Sequence, residues 1–195
     1  MPQRDHHRDI QLFIEWVADH SADAILDPDT NKSVAFMPFK TVEEYFETDG
    51  CARLKELLSA VFSPDDPPVE PEDILGDYTR VFCILIEIGK GEFIESFICR
   101  SFTDTKLPFL PKKAPSHFPT DTKDPDFYER FWKTQWKFCA PELKSPLRNK
   151  QFELDQILPI VSKEKIAASG SAMLYKIKLH DSYDRLNSQT SQGAV

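Results

Sequence analysis

The chain has 195 residues, 41% of them hydrophobic and 12% aromatic, enough for one core or for one core with an appendage. A formal net charge of -8 and a pI near 5.2 argue against nucleic acid or an anionic membrane as the main partner. No apolar run approaches the roughly 18 residues of a membrane-spanning helix, and the opening Met-Pro-Gln-Arg-Asp-His-His-Arg-Asp is too polar and acidic for a secretory signal. Cys51, Cys83, Cys99 and Cys139 show no C-x-x-C spacing. They read as reduced, buried thiols of an intracellular protein, cytoplasmic or nuclear, without zinc or disulfides.

From about Asp5 to His20, Ile10, Phe13, Ile14 and Val17 recur at helical spacing with Trp16 beside them, which predicts an amphipathic helix. Ser21 to Ser33, with Asp27-Pro28-Asp29, reads as a loop. Thr41-Val-Glu-Glu44 has the form of a capping box opening a short helix through Tyr45 and Phe46. Asp49-Gly50 ends it, and Ala52 to Phe62 carries Leu54, Leu57, Leu58 and Val61 on a further helix. The proline- and acid-rich stretch from Ser63 to Pro71 reads as a solvated connector.

Pro71-Glu72-Asp73 is a helix start, since proline fits the first turn and acids favour the positive end of the dipole. Ile74, Tyr78, Val81, Phe82, Leu85 and Ile88 keep one helical register, which favours helix over a buried strand at Phe82 to Ile88. Gly89-Lys-Gly91 turns the chain, and Phe93, Ile94, Phe97 and Ile98 form a second stripe. An antiparallel pair of these two helices is the expected core.

Lys106 to Asp126 is rich in proline and reads as a linker. Within it, Pro108-Phe-Leu-Pro111-Lys112-Lys113 fits a P-x-x-P ligand, although such matches are common in linkers. From Asp126 to Phe138 a helix carries Phe127, Phe131, Trp132, Trp136 and Phe138, too many aromatics to stand free. Ile157 to Ile166 is a short apolar stretch, followed by a small-residue turn and an alternating strand from Ala172. Met173, Tyr175, Ile177 and Leu179 share one face of it.

The turn between these strands resembles the glycine-rich loop of protein kinases, G-x-G-x-x-G-x-V, aligned on Ala167, Ala168, Ser169, Gly170, Ser171, Ala172, Met173 and Leu174. Ala167, Ser169 and Ala172 replace its three glycines and Gly170 stands at an intervening position, which weakens a cradle built from closely approaching backbone N–H groups. Ile166 and Leu174 match the apolar residues that sandwich adenine in that family. An ordinary hairpin with a small-residue loop accounts for the same stretch. Phe131-Trp132 with Gln135-Trp136, Phe138-Cys139-Ala140-Pro141-Glu142 and Ile157-Leu158-Pro159 resemble a family of fungal protein kinase-like proteins, in which a helical region precedes the kinase domain. The likeness covers roughly Leu75 to Tyr183. No lysine follows Lys178, and no Asp-Phe-Gly occurs. His7-Arg8-Asp9 and Ala140-Pro141-Glu142 spell kinase tripeptides but precede the hairpin, and His6-His7 lacks the acids of a metal site.

The expected fold is mainly α: a helical domain over 1–105, a Pro-rich linker over 106–125, an aromatic helix and connector over 126–156, and a C-terminal β-hairpin with a polar tail over 157–195, resembling the start of a kinase N-lobe. The resemblance implies degenerate ATP-site positions at Ile166, Gly170 and Leu174, no catalytic residues and no metal ligands. No cofactor is expected, with ATP relevant only if the missing kinase lobes were present. The implied function is a truncated, non-catalytic protein kinase-like protein, natural or the product of an incomplete gene model. Two alternatives are a stand-alone helical protein–protein interaction module and a fragment of an active Ser/Thr-type kinase. A protein partner would use the helical domain or the Pro-rich linker, with no nucleic acid and no membrane. The hairpin is expected to dock near Trp132 and Trp136 or stay mobile, so that cutting the chain after Gln156 costs less than about 2 kcal/mol, the scale of one buried side chain.

Overall fold

The apolar stripe of the first helix forms as its spacing requires: in α1 (His6–His20) Phe13 and Val17 are buried, and Ile10, Ile14 and Trp16 pack beside them. The computed structural model describes residues 6–110, 112–145, 147, 151–169 and 172–186. These residues form six α-helices and three two-stranded sheets.

The stretch read as a loop after α1 is an antiparallel hairpin, β1 (Ala22–Asp27) and β2 (Lys32–Phe36). Asp27 makes its turn. Its carboxylate accepts the Asp29 N–H at 3.0 Å and the Thr30 hydroxyl at 2.8 Å, so Asp27-Pro28-Asp29 joins two strands rather than breaking structure. Only Ala24 and Phe36 of this hairpin are fully buried, which leaves its alternation too faint to read from sequence.

α2 (Phe39–Phe62) holds two helical segments divided at Asp49, Gly50 and Cys51, all with positive φ, where the break was expected. Thr41 does not cap it: the helix begins two residues earlier after Pro38, and the Thr41 N–H bonds the Pro38 carbonyl at 3.0 Å. The predicted long helix after Pro71 is two helices, α3 (Pro71–Asp77) and α4 (Thr79–Glu87), parted at Tyr78. Glu70 and Asp73 form a reciprocal capping box on α3. α4 is capped from a distance by Asp104, whose carboxylate accepts the Arg80 and Val81 N–H groups, each at 2.9 Å.

α4 is the centre of the molecule, with every residue from Val81 to Ile86 buried. Its main helical neighbour is not the next stripe, which is only a 3-10 turn (Gly91–Phe93) and the short α5 (Ile94–Cys99), but α6 (Phe127–Phe138). The contact is sealed by Lys137 on Glu87 at 2.8 Å and by Arg130 donating to the Ile88 carbonyl at 2.8 Å. Gly91 is packed so closely that a Cβ there would meet Ile86 Cδ1 at 2.7 Å and Val61 Cγ2 at 2.9 Å.

The proline-rich segment is part of this core. Phe109 and Phe118 are buried in an aromatic cluster with Phe97, Phe102, Phe127 and Phe131. The Gln135 side chain, 0% exposed, accepts the Phe109 N–H at 2.7 Å and donates to the Phe109 carbonyl at 2.9 Å, standing in for a strand partner. Pro111 lies outside the described residues, and Pro108-Phe109 are held by their own domain.

After α6 come β3 (Leu143–Lys144), then the hairpin β4 (Ile160–Ser169) and β5 (Ala172–Leu179), then β6 (Asp184–Arg185), which pairs with β3 in parallel. The hairpin does not lie on α6. β4 packs beside β1, where Lys163 donates to the Leu26 carbonyl at 3.2 Å, while Ile157 rather than the strands joins Trp132 and Trp136 in one groove. The C-terminal segment is stitched into the helical core. Tyr183 is buried, its ring set edge-on to Phe36 at 5.7 Å and its hydroxyl accepting the Phe39 N–H at 3.0 Å. Ile157 and Tyr183 belong to the same apolar cluster as α4. The four thiols are free; Cys83 and Cys139 are buried, but Cys99 is exposed and Cys51 half-buried, against the expectation that all four are buried.

Candidate functional site

Two places gather residues with chemical potential: the far end of the β4–β5 hairpin and a cavity where the starts of α2 and α4, the segment after α6 and β6 converge.

In the hairpin, antiparallel pairing sets Lys163 opposite Ile177, Lys165 opposite Tyr175 and Ala168 opposite Met173. Cross-strand partners share a face, so Met173, Tyr175 and Ile177 lie on one side as their alternation implies. Lys163 completes that face, its ammonium 4.6 Å from the Tyr175 ring centre. The ladder slips between Lys165 and Ala167, placing Ile166 in an irregular position, and Leu174 faces Ala167. Ile166 and Leu174, the two described members of the adenine-contacting set, are each 59% exposed at the distal end of the hairpin; Gly170 lies outside the described residues. Met173 and Ile177 are also exposed, and among the described hairpin side chains only Leu179 at the base is buried. β5 pairs with β4 and with no other strand among the described residues. Its outer edge therefore presents unpaired backbone N–H and C=O groups beside exposed apolar side chains.

The cavity, about 540 Å³, is walled by Phe39, Lys40 and Glu43 of α2, Arg80 of α4, Leu107 and Pro108, the Cys139–Glu142 segment after α6, and Ser182, Tyr183 and Arg185. Arg80 stands at its centre because α4 begins there, with its backbone N–H groups already taken by Asp104. Its guanidinium lies over the Phe39 ring, 4.0 Å from the centre, and its Nε is buried with no hydrogen-bond partner. Among the described residues no side-chain hydrogen bond or ion pair reaches Arg80. Glu142, by contrast, is engaged by Lys144 at 2.9 Å and Arg185 at 3.5 Å, which hold its carboxyl below the usual range. Burial raises Glu43, with Glu47 adding to the effect and Arg80 opposing it. Burial pushes the Cys139 thiol up to about 12, so it is not a nucleophile at neutral pH. Burial also drives Asp104 up to about 6, against the two N–H donors that favour its charged form.

The sequence reading missed this cavity. One signal was present: Arg80 is the lone charge in the apolar stretch from Tyr78 to Ile86. The Ala140-Pro141-Glu142 tripeptide, dismissed as a kinase decoy, forms part of the wall. His7-Arg8-Asp9 sits in the first turns of α1. Among the described residues no group of three His, Cys, Asp or Glu could hold a metal ion, and no helix is long and apolar enough to cross a membrane. Comparison with protein-family models, curated proteins and solved structures finds no match to the chain.

Proposed function

We propose that the chain is the non-catalytic N-terminal region of a protein kinase-like protein: a helical domain that carries the first hairpin of a nucleotide lobe and offers that hairpin to a strand partner. The observation that supports this reading is the open outer edge of β5, flanked by exposed Ile166, Met173, Leu174 and Ile177. A two-stranded hairpin is marginal in water, and an edge of this length with exposed apolar residues gains by pairing with a further strand. The helical domain holds the hairpin through β4, whose Lys163 donates to the Leu26 carbonyl at 3.2 Å and whose Val161 packs on the core, and through buried Leu179 at the base, leaving the outer edge of β5 open. With Ala167, Ser169 and Ala172 in place of glycines the turn is a poor phosphate cradle, so the role is presentation and not phosphate transfer.

A second reading, a stand-alone interaction module, is favoured by the burial of Tyr183 and Ile157 in the helical core, which makes the C-terminal segment a working part of the domain. Sequencing the transcript downstream of Val195 tests the non-catalytic reading, and partner capture separates the two. A continuing frame with a third-strand lysine, His-Arg-Asp and Asp-Phe-Gly makes the chain a fragment of an active kinase and overturns the non-catalytic proposal. A stop codon there with no phosphate transfer by the purified chain sustains it, and loss of partner capture on Lys176→Pro in β5, with β3 and β6 intact, assigns the partner to the hairpin edge.

A further inference from the structure

The cavity around Arg80 is separate from the hairpin, and no part of the proposed kinase-like role uses it. A buried, unpaired guanidinium nitrogen is costly, because the water it gave up is not replaced by another acceptor. An orphaned buried donor of this kind calls for an explanation, and at the wall of a cavity a bound acceptor is one. Among the described residues no carboxylate forms an ion pair with Arg80, although Glu43, Asp104 and Glu142 lie near enough for its charge to act on theirs. Asp104, the acid bonded to its own backbone N–H, spends both oxygens on the Arg80 and Val81 amides. Glu142 is committed to Lys144 and Arg185, and Tyr183 to the Phe39 amide.

We infer that this cavity binds a small carboxylic acid as its monoanion, the carboxylate on Arg80 and a short apolar body against Phe39, Leu107, Pro108 and Ala140. A carboxylate is planar and takes two parallel bonds from a guanidinium fork, and the Phe39 ring already fixes the plane of that fork. Lys40, 70% exposed at the rim and only 3.7 Å from Glu44, adds positive charge at the mouth. Two features select against a phosphate dianion: Glu43 and Glu142 also line the wall, and the chain as a whole carries a charge of -8. The volume, about 540 Å³, lies within the range of small-ligand sites, and nearly half of the wall residues are apolar or aromatic. The site closes only when Ser182, Tyr183 and Arg185 return to it from the C-terminal segment, so binding would also tie that segment to the helical domain.

The test uses the full chain, labelled with nitrogen-15 and titrated with sodium hexanoate, with hexanamide and inorganic phosphate as controls. Saturable shifts of the Arg80 Nε–H resonance and of the Lys40 and Glu142 amides are expected with hexanoate. Hexanamide and phosphate should bind at least about tenfold more weakly, the scale of one charge-assisted hydrogen bond. Arg80→Gln should weaken hexanoate by a similar factor, and Arg80→Lys should not restore it, since an ammonium lacks the fork. Lys40→Gln, on an exposed side chain whose loss leaves the fold alone, should weaken it a few-fold in a salt-dependent manner. The inference is overturned if hexanamide matches hexanoate, if phosphate binds more tightly, or if the Arg80 Nε–H does not move on saturation. It is equally overturned if a folded Arg80→Gln chain binds hexanoate as the parent does.

Discussion

Replacing Tyr183 tests whether the C-terminal segment is structural or accessory. The ring is 3% exposed, meets Phe36 edge-on at 5.7 Å, and its hydroxyl takes the Phe39 N–H at 3.0 Å at the start of α2. Removing a buried aromatic side chain to alanine costs about 3–5 kcal/mol, through lost transfer energy and the cavity left behind. Losing the hydroxyl alone strands the Phe39 amide and costs about 1–2 kcal/mol. Tyr183→Ala is therefore expected to lower the unfolding free energy by about 4 kcal/mol and Tyr183→Phe by about 1 kcal/mol, read from urea denaturation followed by circular dichroism. Cutting after Gln156 removes Ile157 and Leu179 as well, all buried, so it should cost more than Tyr183→Ala and not less than 2 kcal/mol as first expected (about one buried side chain). A Tyr183→Ala loss below about 1 kcal/mol, beneath the cost of the hydroxyl alone, would refute the reasoning.

Three further outcomes follow from particular contacts. Asp104 has its pKa raised from 3.8 to about 6, so the folded state takes up the proton more readily than the unfolded chain. Its contribution to stability is therefore greatest below about pH 4, falls as pH rises through about 6, and spans at most about 3 kcal/mol; Asp104→Asn should flatten the stability profile in that window. Gln135→Leu leaves both polar groups of the buried Phe109 unit unpaired, so it should cost about 2–4 kcal/mol and shift the melting transition accordingly. Amide exchange should be fast in β5 from Met173 to Ile177 and slow in α4 from Val81 to Ile86, because the first has one strand partner and exposed side chains and the second is wholly buried. Equal protection of the two would contradict the open-edge description.

What could be read in advance was whatever repeats within one element. The stripes of α1, the second half of α2 and α6 are periodic over ten or more residues, and the break at Asp49-Gly50 follows from residues that tolerate positive φ. The hairpin β4–β5 was legible from the strict alternation of Met173, Tyr175, Ile177 and Leu179. What was missed depends on distant partners. β1 and β2 bury only Ala24 and Phe36, Phe109 is held by Gln135 twenty-six residues on, and α4 is capped by Asp104 rather than by its own first turn. The Arg80 cavity needs six separate segments at once, and no local pattern records their meeting.

The claim that this chain presents a kinase-like hairpin without nucleotide chemistry is tested most directly by calorimetric titration of the full chain with Mg-ATP. One hairpin covers one side of an adenine, Ile166 and Leu174 stand exposed, and the loop glycines are replaced, so the account predicts no saturable heat up to millimolar nucleotide. A micromolar dissociation constant, corresponding to about 8 kcal/mol of binding free energy, would contradict it.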